Sequence, residues 1–302
     1  MNRRTRISAL LLALALATSA ALAAPEGNGV AGEVQRYEVM SGDTLGLVAA
    51  RFGVETAVLA RDNGLTTKAR LKPGDTLEID NRHIVPAGVD DGIVVNLPQR
   101  RLFLFRNGAL LQSYPVAVGS GGWRTPAGEF SIQSMEVDPT WDVPKSIQAE
   151  MASKGKPVVA KVAPGPSNPL GSRWIAINGA IGIHGTNAPS SIFKLTTHGC
   201  IRMATEDVEH LFEQVMKGDR VSVIYEPVLI AKQGDEIFVE AHRDAYGKGG
   251  ATKQEIAAAF EAVGAGGFAS HPDLDRILKA REGRAVMLAE PTRASAETLT
   301  RR

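Results

Sequence analysis

The sequence predicts an α+β protein, mainly β, built from two folded units and a partly helical C-terminal tail. The chain has 302 residues, more than the roughly 100 to 200 residues of an ordinary domain. A strand–helix–helix–strand pattern over 36–80 precedes a longer region, 92–226, in which apolar residues alternate as they do in strands. Hydrophobic residues make up 44% and charged residues 22% of the chain, which excludes a mostly disordered or fibrous protein.

The N-terminal segment 1–23 has the pattern of a secretory signal peptide. Arg3, Arg4 and Arg6 precede an apolar run over 7–17, and Ala21-Leu22-Ala23 offers small residues for cleavage. The apolar run is shorter than the roughly 20 residues that span a bilayer, which favours cleavage over a membrane anchor. We therefore expect an exported mature chain that has no transmembrane segment.

Charge and cysteine content narrow the function classes. Removal of 1–23 takes away three arginines and no acidic residue, so the formal charge changes from +1 to −2. A nearly neutral chain has no electrostatic basis for binding nucleic acid. The single cysteine cannot form an internal disulfide, and a reduced thiol is prone to oxidation in an exported protein. Its presence therefore suggests a chemical role, against the alternative of a small buried hydrophobe.

The first unit is predicted from its turns and helix caps. Residues 37–40 and 76–79 alternate like strands, Thr44 can cap a first helix, and Gly53 can end it. A second helix contains Leu59. Three motifs mark the turns and element ends: Val39-Met40-Ser41-Gly42-Asp43-Thr44-Leu45, Asn63-Gly64-Leu65 and Leu71-Lys72-Pro73-Gly74-Asp75-Thr76-Leu77.

These motifs resemble those of a LysM domain over 36–80. The resemblance implies a βααβ module that binds the N-acetylglucosamine of peptidoglycan glycan chains through a shallow surface groove. The alternative is a module of the same shape that serves only as a spacer.

The second unit reads as a series of strands with one long insertion. Asn107-Gly108 between apolar runs is a strong hairpin signal. The Pro- and Gly-rich stretch 137–173 shows little periodic structure, and we interpret it as a flap that covers a substrate. Thr205 is predicted to cap a helix that runs past Val215, which Gly218 then stops. Strands are expected at 94–97, 102–105, 114–118, 129–132, 174–177, 181–183 and 220–225.

The remaining predictions concern the tail and the scattered basic residues. The tail, 227–302, is expected to begin with a short paired segment and to contain helices at 253–262 and 274–288 before a polar end. Two sets of residues are interpreted as solvent-exposed: the cluster Arg100, Arg101 and Arg106 at a hairpin edge, and the histidines His83, His210, His242 and His271.

A thiol, an imidazole and flexible backbone come together in the stretch 183–203. Cys200 lies in His198-Gly199-Cys200-Ile201-Arg202, and His184 ends a predicted strand in Ile183-His184-Gly185-Thr186-Asn187. An imidazole can take the proton of a thiol nucleophile, and backbone N–H groups around Gly199 and Cys200 can stabilise an oxyanion.

Two other interpretations of these residues remain open at this point. His198 is a rival base, although a histidine two residues from the cysteine usually points elsewhere in an extended segment. A zinc site from His184, His198 and Cys200 has suitable ligand types but lacks a compact ligand spacing.

The region 92–226 resembles the catalytic domain of L,D-transpeptidases, also called YkuD-like, and the resemblance implies a β-sandwich-like fold. It is carried by the two histidine-containing motifs and their separation, by Thr125-Pro126-Ala127-Gly128, and by the flap before Trp174. The site residues that it implies are the nucleophile Cys200, the general base His184, the backbone carbonyl of Gly185 that orients the imidazole, and the substrate-binding residues His198, Gly199, Arg202, Thr186 and Thr197.

Two positions depart from the family pattern. Thr197 stands where serine is common, which keeps the hydroxyl group, and Phe193 stands where glycine is frequent. Neither belongs to the proposed reacting pair, but both are expected to affect the choice of acceptor.

The implied reaction is acyl transfer on peptidoglycan stem peptides in the periplasm. Cys200 would attack the diaminopimelate carbonyl of a donor tetrapeptide, release D-alanine and leave a thioester for an amine to resolve. The acceptor would be another stem, giving a 3-3 cross-link, or the lysine of an outer-membrane lipoprotein. No metal or organic cofactor is implied.

Three alternatives to transpeptidation stay open or are disfavoured. A carboxypeptidase or other hydrolase on the same fold would use water as acceptor, and sequence does not separate it from a transferase. A non-catalytic wall-binding protein would leave the cysteine and histidine unused. Papain-like proteolysis is disfavoured because the cysteine of such enzymes precedes the histidine, whereas here His184 comes first.

Overall fold

A computed structural model of the chain describes residues 29–87, 89–179 and 181–288. The predicted signal peptide, 1–23, and the polar C-terminal end lie outside these ranges. Within them, no helix has the length and apolar character needed to cross a membrane.

The first unit has the predicted strand–helix–helix–strand order, and β2 pairs antiparallel with β3. Its elements are β1 (Val30–Ala31), β2 (Val34–Glu38), α1 (Leu45–Phe52), α2 (Thr56–Asp62), β3 (Thr76–Asp80) and β4 (His83–Ile84). The Thr44 hydroxyl accepts a hydrogen bond from the Leu47 N–H at the start of α1, and Gly53 ends this helix at φ 64°. Both caps are as predicted. Helices and strands enclose a separate core around Val48 and Ile79, which are fully buried.

The second unit contains two main sheets that share one core. The five-stranded sheet has the order β7-β6-β5-β17-β9, and the four-stranded sheet has the order β10-β13-β14-β16. Buried residues of both sheets, such as Leu104 and Ile175, belong to one apolar cluster. The elements are β5 (Gly92–Asn96), β6 (Arg101–Arg106), β7 (Ala109–Pro115), β8 (Val118–Gly119), β9 (Gly128–Ser131), β10 (Ser134–Val137), β11 (Trp141–Asp142), α3 (Lys145–Ser153), β12 (Lys161–Val162), β13 (Arg173–Asn178), β14 (Ile181–His184), β15 (Leu195–Thr197), β16 (Ile201–Arg202), α4 (Thr205–Phe212) and β17 (Arg220–Ile224).

The hairpin between β6 and β7 turns at Asn107 and Gly108, as predicted. Both residues have positive φ, 52° and 76°. Asparagine and glycine tolerate this left-handed region better than other residues, and a turn of this kind matches the twist of the flanking strands.

Three sequence predictions in this unit are wrong. The stretch 137–173 contains the helix α3 and the strand pair β11–β12, because α3 buries no side chain fully and therefore carries no apolar periodicity. Thr205 does not cap α4: the cap residue is Ala204, and the Thr205 hydroxyl donates to the Thr186 carbonyl instead. The helix also ends at Phe212, before the predicted Val215.

The C-terminal region forms a third unit of mixed structure. A three-stranded antiparallel sheet has the order β18-β19-β20, and helices pack on it to form a further core. The predicted helix at 253–262 is present, with the side chains of Thr252 and Glu255 forming a capping box. The helix predicted over 274–288 is wrong beyond Ala280, because Arg281 is left-handed at φ 49° and a strand follows. The elements are β18 (Val228–Gln233), β19 (Glu236–Ala241), α5 (Lys253–Ala262), α6 (Leu274–Ala280) and β20 (Ala285–Leu288).

The arginines interpreted as a solvated hairpin edge have folded partners instead, and two of them, Arg100 and Arg101, join the first and second units. The Arg101 side chain is buried and donates to the Gly53 carbonyl at 3.1 Å. Arg100 forms an ion pair of 2.7 Å with Glu55 at the start of α2. Arg106 is half-buried and pairs with Asp219 at 2.8 Å. The prediction failed because all these partners are distant in sequence.

Three of the four histidines interpreted as surface residues are buried: His83, His242 and His271. His210 is exposed, as predicted. The His242 Nε2 donates at 2.6 Å to the carboxylate of Glu240, which is itself buried and accepts from the Gln99 amide at 3.1 Å. This polar contact links β19 to the chain segment after β5.

His83 is buried in its neutral form. Its Nδ1 lies 2.9 Å from the Asn81 carbonyl, which can only accept, so Nδ1 carries the proton and Nε2 accepts from the Ser113 hydroxyl at 3.0 Å. Burial, together with the charge of Arg101, lowers the pKa of His83 to about 3.

This lowered pKa predicts acid sensitivity. The unfolded chain takes up the proton first as the pH falls below about 6.5, so stability is lost from that pH toward the folded pKa. Between pH 7 and pH 5 we expect His83 to account for a loss of about 2 kcal/mol in the free energy of unfolding. His83→Gln keeps one donor and one acceptor but does not titrate, so urea unfolding at each pH should show a smaller loss in this variant. Equal acid sensitivity in both proteins would contradict a neutral His83.

Candidate active site

His184 is the last residue of β14, and its ring is fixed from two sides. Its Nδ1 lies 2.6 Å from the carbonyl oxygen of Gly185, and its ring stacks on Trp174 with centroids 6.0 Å apart. A carbonyl only accepts, so Nδ1 carries the proton of the neutral ring. This leaves Nε2 as the basic nitrogen.

Cys200 is brought to His184 by the sheet. It directly precedes β16, which pairs in parallel with β14 in the register Ile183 to Ile201 and His184 to Arg202. Side chains alternate between the two faces of a strand, so His184 and Cys200, each next to a buried isoleucine, lie on the face opposite the core and line one cavity. Cys200 is partly exposed there.

The turn before Cys200 is tied by the Thr197 hydroxyl. This hydroxyl donates to the Cys200 carbonyl at 2.6 Å and accepts from the Gly199 N–H at 3.2 Å. Gly199 has φ 110°, a conformation that side chains rarely adopt. Threonine keeps the hydroxyl group of the serine that is common at this position. Here that hydroxyl stabilises the turn.

Burial disfavours the charged forms of both residues. Burial, with the charge of Arg202 in support, lowers the pKa of His184 to about 4, against the Gly185 hydrogen bond that raises it. Burial also raises the pKa of the Cys200 thiol, although a backbone hydrogen bond with Gly182 and the charge of Arg202 lower it in part. At neutral pH the pair is therefore a thiol and a neutral imidazole.

Arg202 lines the cavity, and one of its donors is buried without a partner in the described part of the chain. Its Nη1 donates to the Ser191 hydroxyl at 2.9 Å, whereas its Nε is buried and has no hydrogen-bond partner among the described residues. Burial lowers the pKa of this guanidinium. A buried N–H without a partner is costly, so an acceptor on a bound molecule would be favoured here.

His198 faces the insertion. Its Nε2 lies 2.5 Å from a carboxylate oxygen of Glu150 on α3, and its ring meets Trp123 edge-on at 5.1 Å between centroids. His198 also lines the cavity. The residue thus connects the segment before Cys200 to the helix that covers it.

Of the remaining predicted site residues, Thr197 lines the cavity, whereas Thr186, Gly185 and Gly199 do not. The Thr186 hydroxyl accepts from the Ala188 N–H at 2.9 Å, so it shapes the loop after β14. Gly185 packs against Gly171 at the end of the insertion: a Cβ at Gly171 would lie 2.8 Å from the Gly185 Cα. The glycines allow the insertion to approach the histidine loop closely.

The cavity has a volume of about 690 Å³ and is covered largely by the insertion. The sequence predicts a flap here but no individual lining residue, because the polar and Pro-rich stretch has no periodic pattern. The insertion residues that line the cavity are Pro139, Thr140, Trp141, Asp142, Pro144, Ile147, Glu150, Met151, Lys154, Lys156, Pro169 and Leu170.

Phe193 packs the loop before Cys200 against the first unit. Its backbone is left-handed at φ 59°, the region that glycine prefers, and its side chain is buried with Ala50 of α1 and with Ile192. The Arg100 guanidinium lies 4.0 Å from the ring centroid and donates to the Phe193 carbonyl at 3.1 Å. The phenylalanine at this position therefore packs the second unit against the first.

Among the described residues, no cluster of three or more His, Cys, Asp or Glu side chains could hold a metal ion. The combination of His184, His198 and Cys200 is not such a group.

Comparison with known proteins identifies two domains. The family model of the YkuD L,D-transpeptidase catalytic domain matches residues 90–223, and that of the LysM domain matches residues 37–80. The matches define an enzyme that joins a transpeptidase catalytic domain to a LysM domain.

Curated relatives narrow the class to one family. The probable L,D-transpeptidase YbiS of Escherichia coli strain K12 is 32% identical over 222 residues, 72% of either chain. The probable L,D-transpeptidase ErfK/SrfK of Salmonella typhimurium is 32% identical over 223 residues, again 72% of each. The putative L,D-transpeptidase YkuD of Bacillus subtilis is 32% identical over 188 residues, 62% of this chain and 97% of that one. The chain belongs to the L,D-transpeptidase family.

We expect Thr197→Val and Thr197→Ser to differ in stability, because only Thr197→Ser retains the hydroxyl group. Thr197→Val removes the hydroxyl and leaves the Gly199 N–H and the Cys200 carbonyl without their partner, so we expect a loss of about 1 to 3 kcal/mol in the free energy of unfolding. Thr197→Ser keeps both hydrogen bonds and should stay within about 1 kcal/mol of the wild type. Urea unfolding of the three proteins measures this, and equal losses in both variants would show that the hydroxyl does not stabilise the turn.

Proposed function

We propose that this L,D-transpeptidase transfers the acyl group of a peptidoglycan donor tetrapeptide through a thioester on Cys200. The observation that carries the proposal is that Cys200 and His184 line one cavity, with Nδ1 of His184 bonded to the Gly185 carbonyl at 2.6 Å. That bond leaves Nε2 to act as general base.

The proposed first step forms one bond and breaks another. The Cys200 sulfur attacks the carbonyl at the L-centre of diaminopimelate while His184 takes the thiol proton. The C–N bond to D-alanine then breaks, and His184 returns the proton to the leaving amine. An acceptor amine resolves the thioester in the reverse sense and regenerates the thiol.

The neutral resting pair fits this sequence of proton transfers. A neutral imidazole can accept a proton as the sulfur attacks, so thiolate need not accumulate beforehand. A thiol is also oxidised more slowly than a thiolate, which suits an exported enzyme. His198 is a weaker candidate for the base, since its Nε2 lies beside Glu150.

Substrate contacts are proposed from the cavity wall. The unpartnered Nε of Arg202 is suited to a carboxylate of the stem peptide. Trp141, Ile147 and Met151 would cover the peptide from the insertion side and exclude water from the thioester. The Gly199 N–H donates to Thr197 over a long 3.2 Å, and we propose that it shifts to the oxyanion during attack.

The domain organisation and location remain proposals. We propose a signal peptide over 1–23, a glycan-binding LysM domain over 36–80, a catalytic domain over 92–226, a C-terminal extension over 227–302, and a periplasmic location. The acceptor is proposed to be a second stem peptide, giving a 3-3 cross-link, or the lysine of an outer-membrane lipoprotein. Water as acceptor would make the enzyme a carboxypeptidase.

A mass-spectrometric experiment tests the proposed chemistry. Purified protein is incubated with a tetrapeptide stem, with and without an acceptor amine. We expect an acyl adduct on Cys200, released D-alanine, and a cross-linked product when acceptor is present. Cys200→Ala should form no adduct, and His184→Gln should acylate about 10² to 10⁴ times more slowly, the usual contribution of a general base.

Each alternative predicts a different product. Tripeptide as the sole product, even with abundant acceptor, would establish hydrolysis in place of transfer. Absence of both adduct and D-alanine would refute the enzymatic proposal. Cys200→Ala should keep glycan binding, because the LysM unit has its own core, and loss of both acylation and glycan binding would contradict the two-domain organisation.

A further inference from the structure

A short loop over 119–125 rests on the segment that leads to Cys200. β8 pairs in parallel with β15, and the Ser120 N–H donates to the Thr197 carbonyl at 3.0 Å. At the other side of the loop, Trp123 contacts the His198 ring. The loop is therefore in contact with two of the residues immediately before the thiol.

The 119–125 loop is closed tightly on itself. The Gly119 N–H donates to the Thr125 hydroxyl at 2.8 Å, and the Trp123 N–H donates to the Ser120 carbonyl at 2.9 Å. A Cβ at Gly119 would lie 2.0 Å from the Trp123 carbonyl oxygen, so no side chain fits there. Contacts between its two ends therefore fix the loop.

One hydroxyl group from the C-terminal region joins both ends of this loop. The Tyr246 hydroxyl donates to the Gly119 carbonyl at 3.0 Å and accepts from the Thr125 N–H at 3.1 Å. Tyr246 is 4% exposed, and the Arg124 guanidinium lies 5.6 Å from its ring centroid. The hydroxyl thus uses its donor and an acceptor position on the loop.

Tyr246 is itself held in place by neighbours outside the loop. Its N–H donates to the Tyr225 hydroxyl at 2.8 Å, and the two rings stack with centroids 5.8 Å apart. The Tyr225 hydroxyl donates to Asp244, which also accepts from the N–H groups of Lys248 at 3.0 Å and Gly249 at 2.7 Å. An ordered turn therefore fixes the position of Tyr246 beside the loop.

We propose that Tyr246 is a positioning residue for acylation of Cys200. Through the 119–125 loop it holds Thr197 and His198, and hence the turn that presents the thiol and the backbone N–H groups around it. The proposal rests on the proposed function, since its effect is on the acyl-transfer step. It also gives residues beyond 226 a part in the active site.

The substitution Tyr246→Phe tests this with little change in shape. It removes both hydrogen bonds to the loop and keeps the ring that stacks on Tyr225. Tyr114→Phe is the matched control, because the Tyr114 hydroxyl makes one partly buried hydrogen bond of 2.7 Å with His210 and none with the loop. Tyr246→Phe should lose more thermal stability than Tyr114→Phe, because it leaves the Gly119 carbonyl and the Thr125 N–H without this partner, whereas Tyr114→Phe removes one hydrogen bond.

Acylation kinetics separate positioning from stability. With the tetrapeptide stem, we expect Tyr246→Phe to lower kcat for thioester formation about tenfold, in line with the sensitivity of reactions to small misplacement, and to leave KM within about twofold. Tyr114→Phe should keep the wild-type kcat. A wild-type kcat in Tyr246→Phe, or an equal fall in Tyr114→Phe, would overturn the proposal.

Hydrogen exchange tests, independently of catalysis, whether Tyr246 orders the 119–125 loop and the turn before Cys200. Peptides that cover 119–125 and 195–200 should exchange faster in Tyr246→Phe and at the wild-type rate in Tyr114→Phe. Unchanged exchange in Tyr246→Phe would overturn the proposal, even if acylation slowed. If wild-type protein forms no thioester, the proposed function fails, and the exchange data still show whether Tyr246 orders the turn.

Discussion

The parallel pairing of β14 with β16 is the constraint on which the active site depends. Ile183 and Ile201 face each other across this pair and are fully buried in the core shared by the two sheets. A slip of one residue would turn these apolar side chains out of the core, so the register is strongly specified. That register places His184 beside Arg202 and leaves Cys200 at the strand entrance. The chemistry of the site thus follows from the packing of two isoleucines.

The other units brace this pair from outside the sheet. The LysM domain contacts the loop before the thiol through Phe193 and Arg100, and the C-terminal region contacts it through Tyr246. The insertion adds the contact between Glu150 and His198. The LysM domain packs directly against the catalytic domain. We therefore expect a glycan bound to it to lie at a fixed distance from the cavity.

Much of this could be predicted where the cause is local. Caps and turns such as Thr44, Gly53 and Asn107-Gly108 act through neighbouring residues, and two short motifs were enough to predict that Cys200 and His184 share one site. Features set by distant partners could not be predicted. No sequence pattern indicates that Arg101 is buried against the first unit or that Tyr246 bonds the 119–125 loop. Helix α3 could not be predicted for a different reason: a helix that buries no side chain fully has no apolar stripe to detect.

We propose that the site holds Cys200 and His184 as a neutral pair that exchanges a proton only when substrate is attacked. Carbon-13 NMR of labelled histidine and cysteine, followed from pH 4 to pH 8, measures the two protonation states directly. We expect His184 to stay neutral down to about pH 5, with its proton on Nδ1, and Cys200 to be a thiol at pH 7. An imidazolium signal from His184 together with a thiolate signal from Cys200 at pH 7 would contradict it.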